Sequence, residues 1–271
     1  MKKQKKRLIF FSSLVALLLL ASVFAGWLSP YDPDLQNFRI ALEPPSLSHP
    51  FGTDRYGRDM LSRVLLGSRT SIFSTLVLVA VTAAAGTALG VLCGYMGKIG
   101  DTIIMRIADI CLAFPGMVFA LAVAAVFDGG IRNAVIALAV VSWPKYARIA
   151  RSRTLSLKKE DYISAACLSG DTDLQVIVRH ILPNIGGQIL VTATLDIGTM
   201  MMELSALSFL GLGAQPPTAE WGSMISEGRS MLQTYPWVIL APGLGIFMTA
   251  ALFQLLGDVL RDYLDTGKSY L

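Results

Sequence analysis

The stretch IFSTLVLVAVTAAAGTALGVLCGYM, residues 72–96, contains no charged side chain. A helix needs about 20 apolar residues to cross the hydrocarbon core of a bilayer, and an open strand cannot cross it because its backbone polar groups would stay unpaired. Five other apolar runs have similar lengths, at residues 8–27, 103–127, 131–149, 189–212 and 237–260. The sequence therefore predicts an all-α integral membrane protein with six transmembrane helices.

The composition supports the same class. Hydrophobic residues make up 54% of the 271 residues and charged residues only 15%, against about 25% charged in an ordinary soluble domain. So few charged residues supply too little polar surface for a soluble enzyme, and so many hydrophobic residues are not typical of a disordered scaffold. The three cysteines have no CxxC spacing, which argues against a disulfide framework and a zinc site.

The positions of the basic residues indicate the orientation. Five lie in the first seven residues and seven between Lys145 and Arg179. With both termini in the cytoplasm, sixteen of the 23 basic residues are cytoplasmic and seven are external, in agreement with the positive-inside rule. The basic residues form no single patch, so the net charge of +4 does not indicate binding of nucleic acid.

The spans divide the chain into three parts. Residues 1–70 hold a basic cytoplasmic head, the first transmembrane helix and an external segment. Residues 71–260 hold five transmembrane helices, with a cytoplasmic loop at about 150–188, and residues 261–271 form a cytoplasmic tail. The first run could belong to a cleaved signal peptide, but its length exceeds the roughly 7–15 residues of a signal core, so we expect an uncleaved span.

Two sets of residues inside the spans have informative spacing. Gly86, Gly90 and Gly94 recur every four residues, which predicts a helix face that packs closely against a neighbouring helix. Pro115 and Pro144 interrupt apolar runs and predict bends around a pathway.

Ionisable groups within spans are costly and point to function. Asp196, Met200 and Glu203 follow an i, i+4, i+7 spacing, which places them on one helix face. They are candidates for lining a transport pathway, and the alternative is hydrogen bonding between helices. Arg106 and Asp109 are three residues apart, close enough on a helix to predict an ion pair.

The cytoplasmic loop contains KKEDYISAACLSGDTDLQVIVRHILPNI, residues 158–185. Small residues precede Gly170 at an expected helix break, and an amphipathic stretch follows and is expected to end at Pro183. We predict a compact helix–turn–helix from Tyr162 to Pro183, here called the knob, in which His180 is packed and does not bind a metal.

The knob resembles the EAA motif of binding-protein-dependent ABC importers. The positions of the motif are filled by Ala165, Ala166, Gly170, His180, Leu182 and Pro183. The glutamate of the motif is replaced by Ser164, and Glu160 and Asp161 lie one helical turn earlier. The resemblance implies that the knob, including Tyr162, docks in a cleft of an ATPase subunit.

Two external stretches narrow the resemblance. HPFGTDRYGRDMLSR, residues 49–63, and LSFLGLGAQPPTAEWG, residues 207–222, are similar to those of the second permease subunit in the dipeptide, oligopeptide and nickel group. The resemblance implies the type I ABC importer permease fold in a bacterial cytoplasmic (inner) membrane. It also implies three kinds of partner, namely a homologous permease that completes a heterodimer, two cytoplasmic ATPase subunits and an external substrate-binding protein.

Three further stretches bear on the cargo. TLDIGTMMMELSALSFLGLG (residues 194–213), TAEWGSMI (218–225) and LSGD (168–171) resemble the nickel permease more than the peptide permeases. We therefore expect nickel or a nickel chelate, with a di- or oligopeptide as the alternative. His49 and His180 are expected on opposite sides of the membrane, so no metal ligand can be assigned.

The chain itself is not expected to be an enzyme or to bind a cofactor. Its only string that resembles a Walker A loop, Gly267-Lys268-Ser269, has Asp262 where the first glycine is required. ATP and Mg are therefore assigned to the partner ATPases. The alternative from another class is a secondary transporter driven by an ion gradient, but no inverted repeat supports it. An intramembrane protease is disfavoured because HExxH is absent and no histidine lies in a span.

Overall fold

The computed structural model describes residues 2–268, and within that range all regular elements are helices, which confirms the all-α prediction. A π-helical turn occurs at Val176–Ile181, and short 3-10 turns occur at Phe38–Ile40 and Arg229–Met231. Ser269 lies outside the described residues. The helices are α1 Lys2–Val23, α2 Ala25–Leu28, α3 Met60–Met96, α4 Lys98–Ala113, α5 Gly116–Ala124, α6 Ile131–Leu157, α7 Asp161–Leu168, α8 Asp173–Gln175, α9 Leu182–Phe209, α10 Trp221–Gly228 and α11 Trp237–Lys268.

Four helical segments are long and apolar enough to cross a membrane. They are Gln4–Val23, Met60–Met96, Asp173–Phe209 and Trp237–Asp265. A fifth span is possible if α4 and α5 are counted together, although the two helices meet at an angle of 98°. The protein is therefore a polytopic membrane protein with four or five apolar spans among its described residues.

The apolar run at 103–127 is not one straight helix. Phe114 ends α4 in an extended conformation, with φ −94° and ψ 148°, and Pro115 precedes α5. A residue before proline is disfavoured in the α region because the proline ring clashes with its backbone. The bend predicted at Pro115 is thus a break between two helices, whereas Pro144 lies inside a continuous α6.

The sixth predicted span corresponds to α6, which is 27 residues long. It is not among the apolar spans, because its second half carries four basic residues, Lys145, Arg148, Arg151 and Arg153. The number of six spans and the cytoplasmic position of both termini therefore stay predictions.

Two helices extend beyond the apolar runs that predicted them. The side chain of Asp59 accepts a hydrogen bond from the backbone N–H of Ser62 and caps α3, which therefore begins twelve residues before the apolar run at 72–96. At the other end of the chain, α11 continues to Lys268, through most of the predicted tail. The apolar runs thus indicate the membrane-embedded parts of longer helices.

The largest core lies among α3, α5, α6 and α9, with buried residues that include Leu78, Leu138 and Leu204. A second core on the side of α10 surrounds Trp221 and Met201. Large apolar side chains are also exposed along the outer helices, as expected of a surface that contacts lipid.

Candidate coupling site and membrane pathway

The knob is built from α7, a turn and the start of the next helical segment. Gly170 lies in the turn with φ +96°, a conformation that glycine adopts readily because it has no Cβ. Thr172 caps the next helix, and its side chain and that of Gln175 form a reciprocal capping box. This sharp turn brings α7 back against the π-helical turn that precedes α9.

The second half of the knob does not end at Pro183 as predicted. Asp173–Phe209 is a single helical segment of 37 residues, and Pro183 lies near the start of α9. The backbone N–H of Leu182 bonds to Ile177 O, five residues earlier. The π-helical turn replaces i→i−4 with i→i−5 backbone hydrogen bonds immediately before Pro183. The proline ring, which would disrupt a regular helix, is therefore accommodated here.

Polar contacts hold the two halves of the knob together. His180 Nε2 lies 3.1 Å from Asp171 Oδ2, and the Asn184 side-chain amide donates to His180 O at 2.6 Å and to the Tyr162 hydroxyl at 3.4 Å. The rings of Tyr162 and His180 are 6.4 Å apart. Among the residues that the structure describes, no group of three or more His, Cys, Asp or Glu side chains could hold a metal ion.

The knob has one buried face and one exposed face. Ile163, Val176 and Ile181 pack into a core with Val91 and Ala150 of the neighbouring helices. The opposite face carries Ser164 and Ala165, while Ala166 and Leu182 are half-buried and Pro183 is exposed. Glu160 and Asp161 are also exposed. Most residues of the motif therefore lie at the surface.

The tip of the knob exposes two large apolar side chains. Leu168 is 90% exposed and Leu174 is 71% exposed, and they flank the turn at Gly170. The hydroxyl of Tyr95 donates to Asp173 at 2.8 Å and fixes the knob to the end of α3. The exposed leucines are therefore held by a fixed base.

A cavity of about 330 Å³ lies between the α4–α5 break, α6 and α9. Asp196, Met200 and Glu203 all line it, so the structure brings the three pathway candidates together. Lys145 also lines it and places Nζ 2.5 Å from Asp196 Oδ1, while the Tyr146 hydroxyl donates to Asp196 Oδ2 at 2.9 Å. The hydrogen bonding between helices that we considered as the alternative is therefore present at Asp196, and it occurs in the wall of the cavity.

Sequence reasoning missed Lys145 as a component of this site. Its charge was counted among the cytoplasmic bases, but its side chain is half exposed to the cavity. The partners are separated by fifty-one residues, so no local spacing connects them. The only signal was a lysine at the end of an apolar run.

The glycine face of α3 packs against α6. A Cβ at Gly86 would lie 2.5 Å from Trp143 O, and a Cβ at Gly94 would lie 2.8 Å from Thr154 Cβ. At Gly90 the added carbon would overlap the carbonyl of Ala147. The two helices therefore approach so closely along this face that no side chain fits.

The ion pair predicted between Arg106 and Asp109 is wrong. Asp109 instead accepts a hydrogen bond from Arg148 of α6 at 2.5 Å. One turn further along α6, Arg151 makes two hydrogen bonds to Asp101, at 2.5 and 2.6 Å. The acidic side chains of α4 therefore pair with the neighbouring helix, because α4 packs alongside α6 and places these guanidinium groups within reach.

The segment around the start of α3, which the sequence predicts to be external, carries a second cluster of buried charges. Arg58 donates to Asp54 at 2.6 Å and to Glu227 at 3.0 Å, and Arg63 pairs with Asp34 at 3.2 Å. Both arginines are almost completely buried. The pair between Arg58 and Glu227 fastens the external segment to α10, and the sequence signalled it only through the motif at residues 49–63.

The α10 end of this region is also fixed by a buried carboxylate. Glu220 is fully buried and accepts hydrogen bonds from the backbone N–H groups of Gly222 and Ser223 and from the hydroxyl of Ser71. His49 lies 2.9 Å from Asp59, which in turn caps α3. These contacts fix the starts of α3 and α10 in place.

Two family models match the chain. Residues 86–270 match the model described as the binding-protein-dependent transport system inner membrane component. Residues 3–45 match the model of the N-terminal TM domain of oligopeptide transport permease C. Together the two models account for most of the chain.

Several named relatives are similar over almost the whole chain. The glutathione transport system permease protein GsiD of Escherichia coli O6:K15:H31 (strain 536) is 46% identical over 255 residues, which cover 93% of this chain and 83% of the relative. GsiD of Shigella boydii serotype 4 gives the same values. Among solved structures, the inward-facing MetNI methionine ABC transporter has a TM-score of 0.53 at 18% identity and covers 71% of this chain and 94% of that one. This likeness supports the fold alone.

Proposed function

The chain belongs to the family of inner membrane components of binding-protein-dependent transport systems, and on that premise we propose that it forms half of the membrane pathway of an ATP-driven importer of short peptides. It is a multi-pass protein of the bacterial inner membrane. In the proposed complex it pairs with a homologous permease, two cytoplasmic ATPase subunits and an external substrate-binding protein. ATP and Mg are bound by the ATPases.

The cargo is proposed from the named relatives. A relative that is 46% identical over 93% of this chain is named for glutathione transport, and glutathione is a short peptide. The N-terminal part matches a model named for oligopeptide transport. The comparisons thus favour the peptide alternative, and no finding supports the preference for nickel that came from three short stretches of sequence.

The knob is proposed to couple ATP hydrolysis to transport. Leu168 and Leu174 are large apolar side chains that project from a fixed base beside the turn at Gly170. Large apolar side chains that are this exposed are often found on surfaces that bind a protein partner. An ATPase cleft that closes around the knob would displace it and the helix attached to it.

The membrane pathway is proposed to run past the cavity on α9. Asp196, Met200 and Glu203 line that cavity, and carboxylates at membrane depth are costly unless they serve a function. Six spans with both termini in the cytoplasm place the knob on the ATPase side and the Arg58 cluster on the side of the binding protein.

Uptake by the complete complex in proteoliposomes tests the cargo. The complex with its cognate partners is expected to import a labelled tripeptide when ATP is supplied, and unlabelled glutathione is expected to compete. Free nickel ions are expected neither to compete nor to enter. Import of nickel without import of any peptide would refute the proposal, and omission of ATP provides the background rate.

A further inference from the structure

The cavity on α9 has the dimensions of a binding site. Its volume of about 330 Å³ lies at the lower end of the range of roughly 300–1,000 Å³ for small-molecule sites. Its walls combine apolar side chains, such as Leu138 and Val141, with three charged groups. A packing defect between helices would be lined only by apolar groups, because a buried charge is costly without a partner.

The charges in the cavity are not balanced. The carboxylate of Asp196 is occupied by Lys145 and by the hydroxyl of Tyr146. Glu203 lines the same cavity, and Asp196 and Lys145 are the charged groups that act on it. Among the described residues, no hydrogen bond or ion pair occupies its carboxylate. Two carboxylates and one ammonium therefore leave one negative charge available to an occupant.

Lys145 adds a second requirement. Its ammonium has three donors, and its side chain is 50% exposed while it contacts Asp196. Donors therefore remain for a negative or carbonyl group on an occupant. A bare metal cation would be attracted by Glu203 but repelled by Lys145, whereas a molecule with both charges satisfies the two groups together.

The spacing of the two groups limits the length of the occupant. Asp196 and Glu203 are seven residues apart on α9, which corresponds to about 10 Å along the helix axis. Because Lys145 is bound to Asp196, this is also the approximate axial separation of its ammonium from Glu203. An extended peptide covers roughly 3.3–3.6 Å per residue. Two or three residues therefore bridge the distance between a positive and a negative terminus.

We propose that this cavity is a transient binding site for a zwitterionic di- or tripeptide during its passage through the membrane. Glu203 accepts hydrogen bonds from the α-ammonium group of the peptide, and the free donors of Lys145 face its carboxylate end. This inference rests on the proposed function and adds the groups through which the membrane subunit contacts its cargo.

The test compares three cargoes in the complete reconstituted complex. They are a tripeptide, its N-acetyl derivative and its C-terminal amide, and initial uptake rates are measured for the unmodified chain and for Glu203→Gln. Asp128→Asn is the matched control, because Asp128 is an exposed carboxylate that does not line the cavity. The same binding protein is used with every variant. Its own preference among the three cargoes therefore cancels when the ratio of two uptake rates is compared between variants.

In the Glu203→Gln complex the preference for the free peptide over its N-acetyl derivative is expected to fall about tenfold, as when a hydrogen bond to a charged group is lost. The preference for the free peptide over its C-terminal amide is expected to stay unchanged. Asp128→Asn is expected to leave both uptake ratios unchanged. An unchanged N-acetyl ratio in an assembled, ATP-hydrolysing Glu203→Gln complex would overturn the site and leave the peptide function standing. If the unmodified complex imports none of the three peptides, the proposed function fails and the site fails with it.

Discussion

Replacing Gly170 with valine is expected to uncouple the knob from transport without unfolding the permease. A Cβ at Gly170 would meet no atom within 4 Å, so the substitution causes no collision. The cost arises from the backbone, because φ is +96° and a β-branched residue is strained there. Such strain amounts to about 2 kcal/mol, which lowers the equilibrium constant for forming the native turn by a factor of roughly 30.

The assay measures ATP hydrolysis and peptide uptake by the same reconstituted complex. Uptake by Gly170→Val is expected to fall about tenfold while the complex still assembles, because the strain favours other conformations of the turn that presents Leu168 and Leu174. Gly186→Val is the matched control, since Gly186 also has open space around it but lies in α9 without a positive φ. Its uptake is expected to stay close to normal.

A second variant isolates the role of the backbone conformation. Asparagine tolerates positive φ better than valine does, so Gly170→Asn is expected to retain more uptake than Gly170→Val. Normal uptake by Gly170→Val would refute the reasoning. So would equal losses in the asparagine and valine variants, because the cause would then be the presence of a side chain and not the torsion angle.

Two further predictions concern stability and use thermal unfolding of the purified protein in detergent. Gly90→Val is expected to lower the free energy of unfolding by about 1–3 kcal/mol, because its side chain would overlap the carbonyl of Ala147. Gly26→Val is the control and is expected to cost less, since Gly26 has open space around it. Equal losses in the two variants would contradict close packing of α3 on α6. Arg58→Met is expected to cost about 3 kcal/mol, since it removes the buried guanidinium that pairs with both Asp54 and Glu227. The exposed Arg55→Met provides the control. An equal melting temperature for both variants would show that this cluster does not hold the segment in place.

The apolar runs predicted the membrane-embedded elements well because lipid imposes a simple requirement on length and composition. They correspond less simply to apolar spans where a helix carries charges or a proline. The run at 131–149 lies in α6, which is too basic in its second half to qualify as apolar, and the run at 103–127 breaks at Pro115. The start of α3 also escaped prediction, since the Asp59 cap and not lipid stabilises its first turn. The extension of α11 to Lys268 was not predicted either.

The site residues were predictable only where local spacing places them together. Asp196, Met200 and Glu203 share a face because the helix repeats every 3.6 residues, and the sequence contains that information. Lys145 and the partner of Asp109 come from other helices, so only tertiary packing reveals them. For the same reason the burial of Arg58 could not be inferred from its sequence neighbours.

The continuity of residues 173–209 as one helical segment gives the protein a lever arm. Asp196 lies twenty residues beyond Val176, a distance of about 30 Å along the axis. A rotation of this rod by roughly 10° about its end near Val176 would therefore sweep the carboxylate sideways by about 5 Å, comparable with the width of a small side chain. Modest closure at the ATPase would be magnified into a change that either admits or excludes a solute.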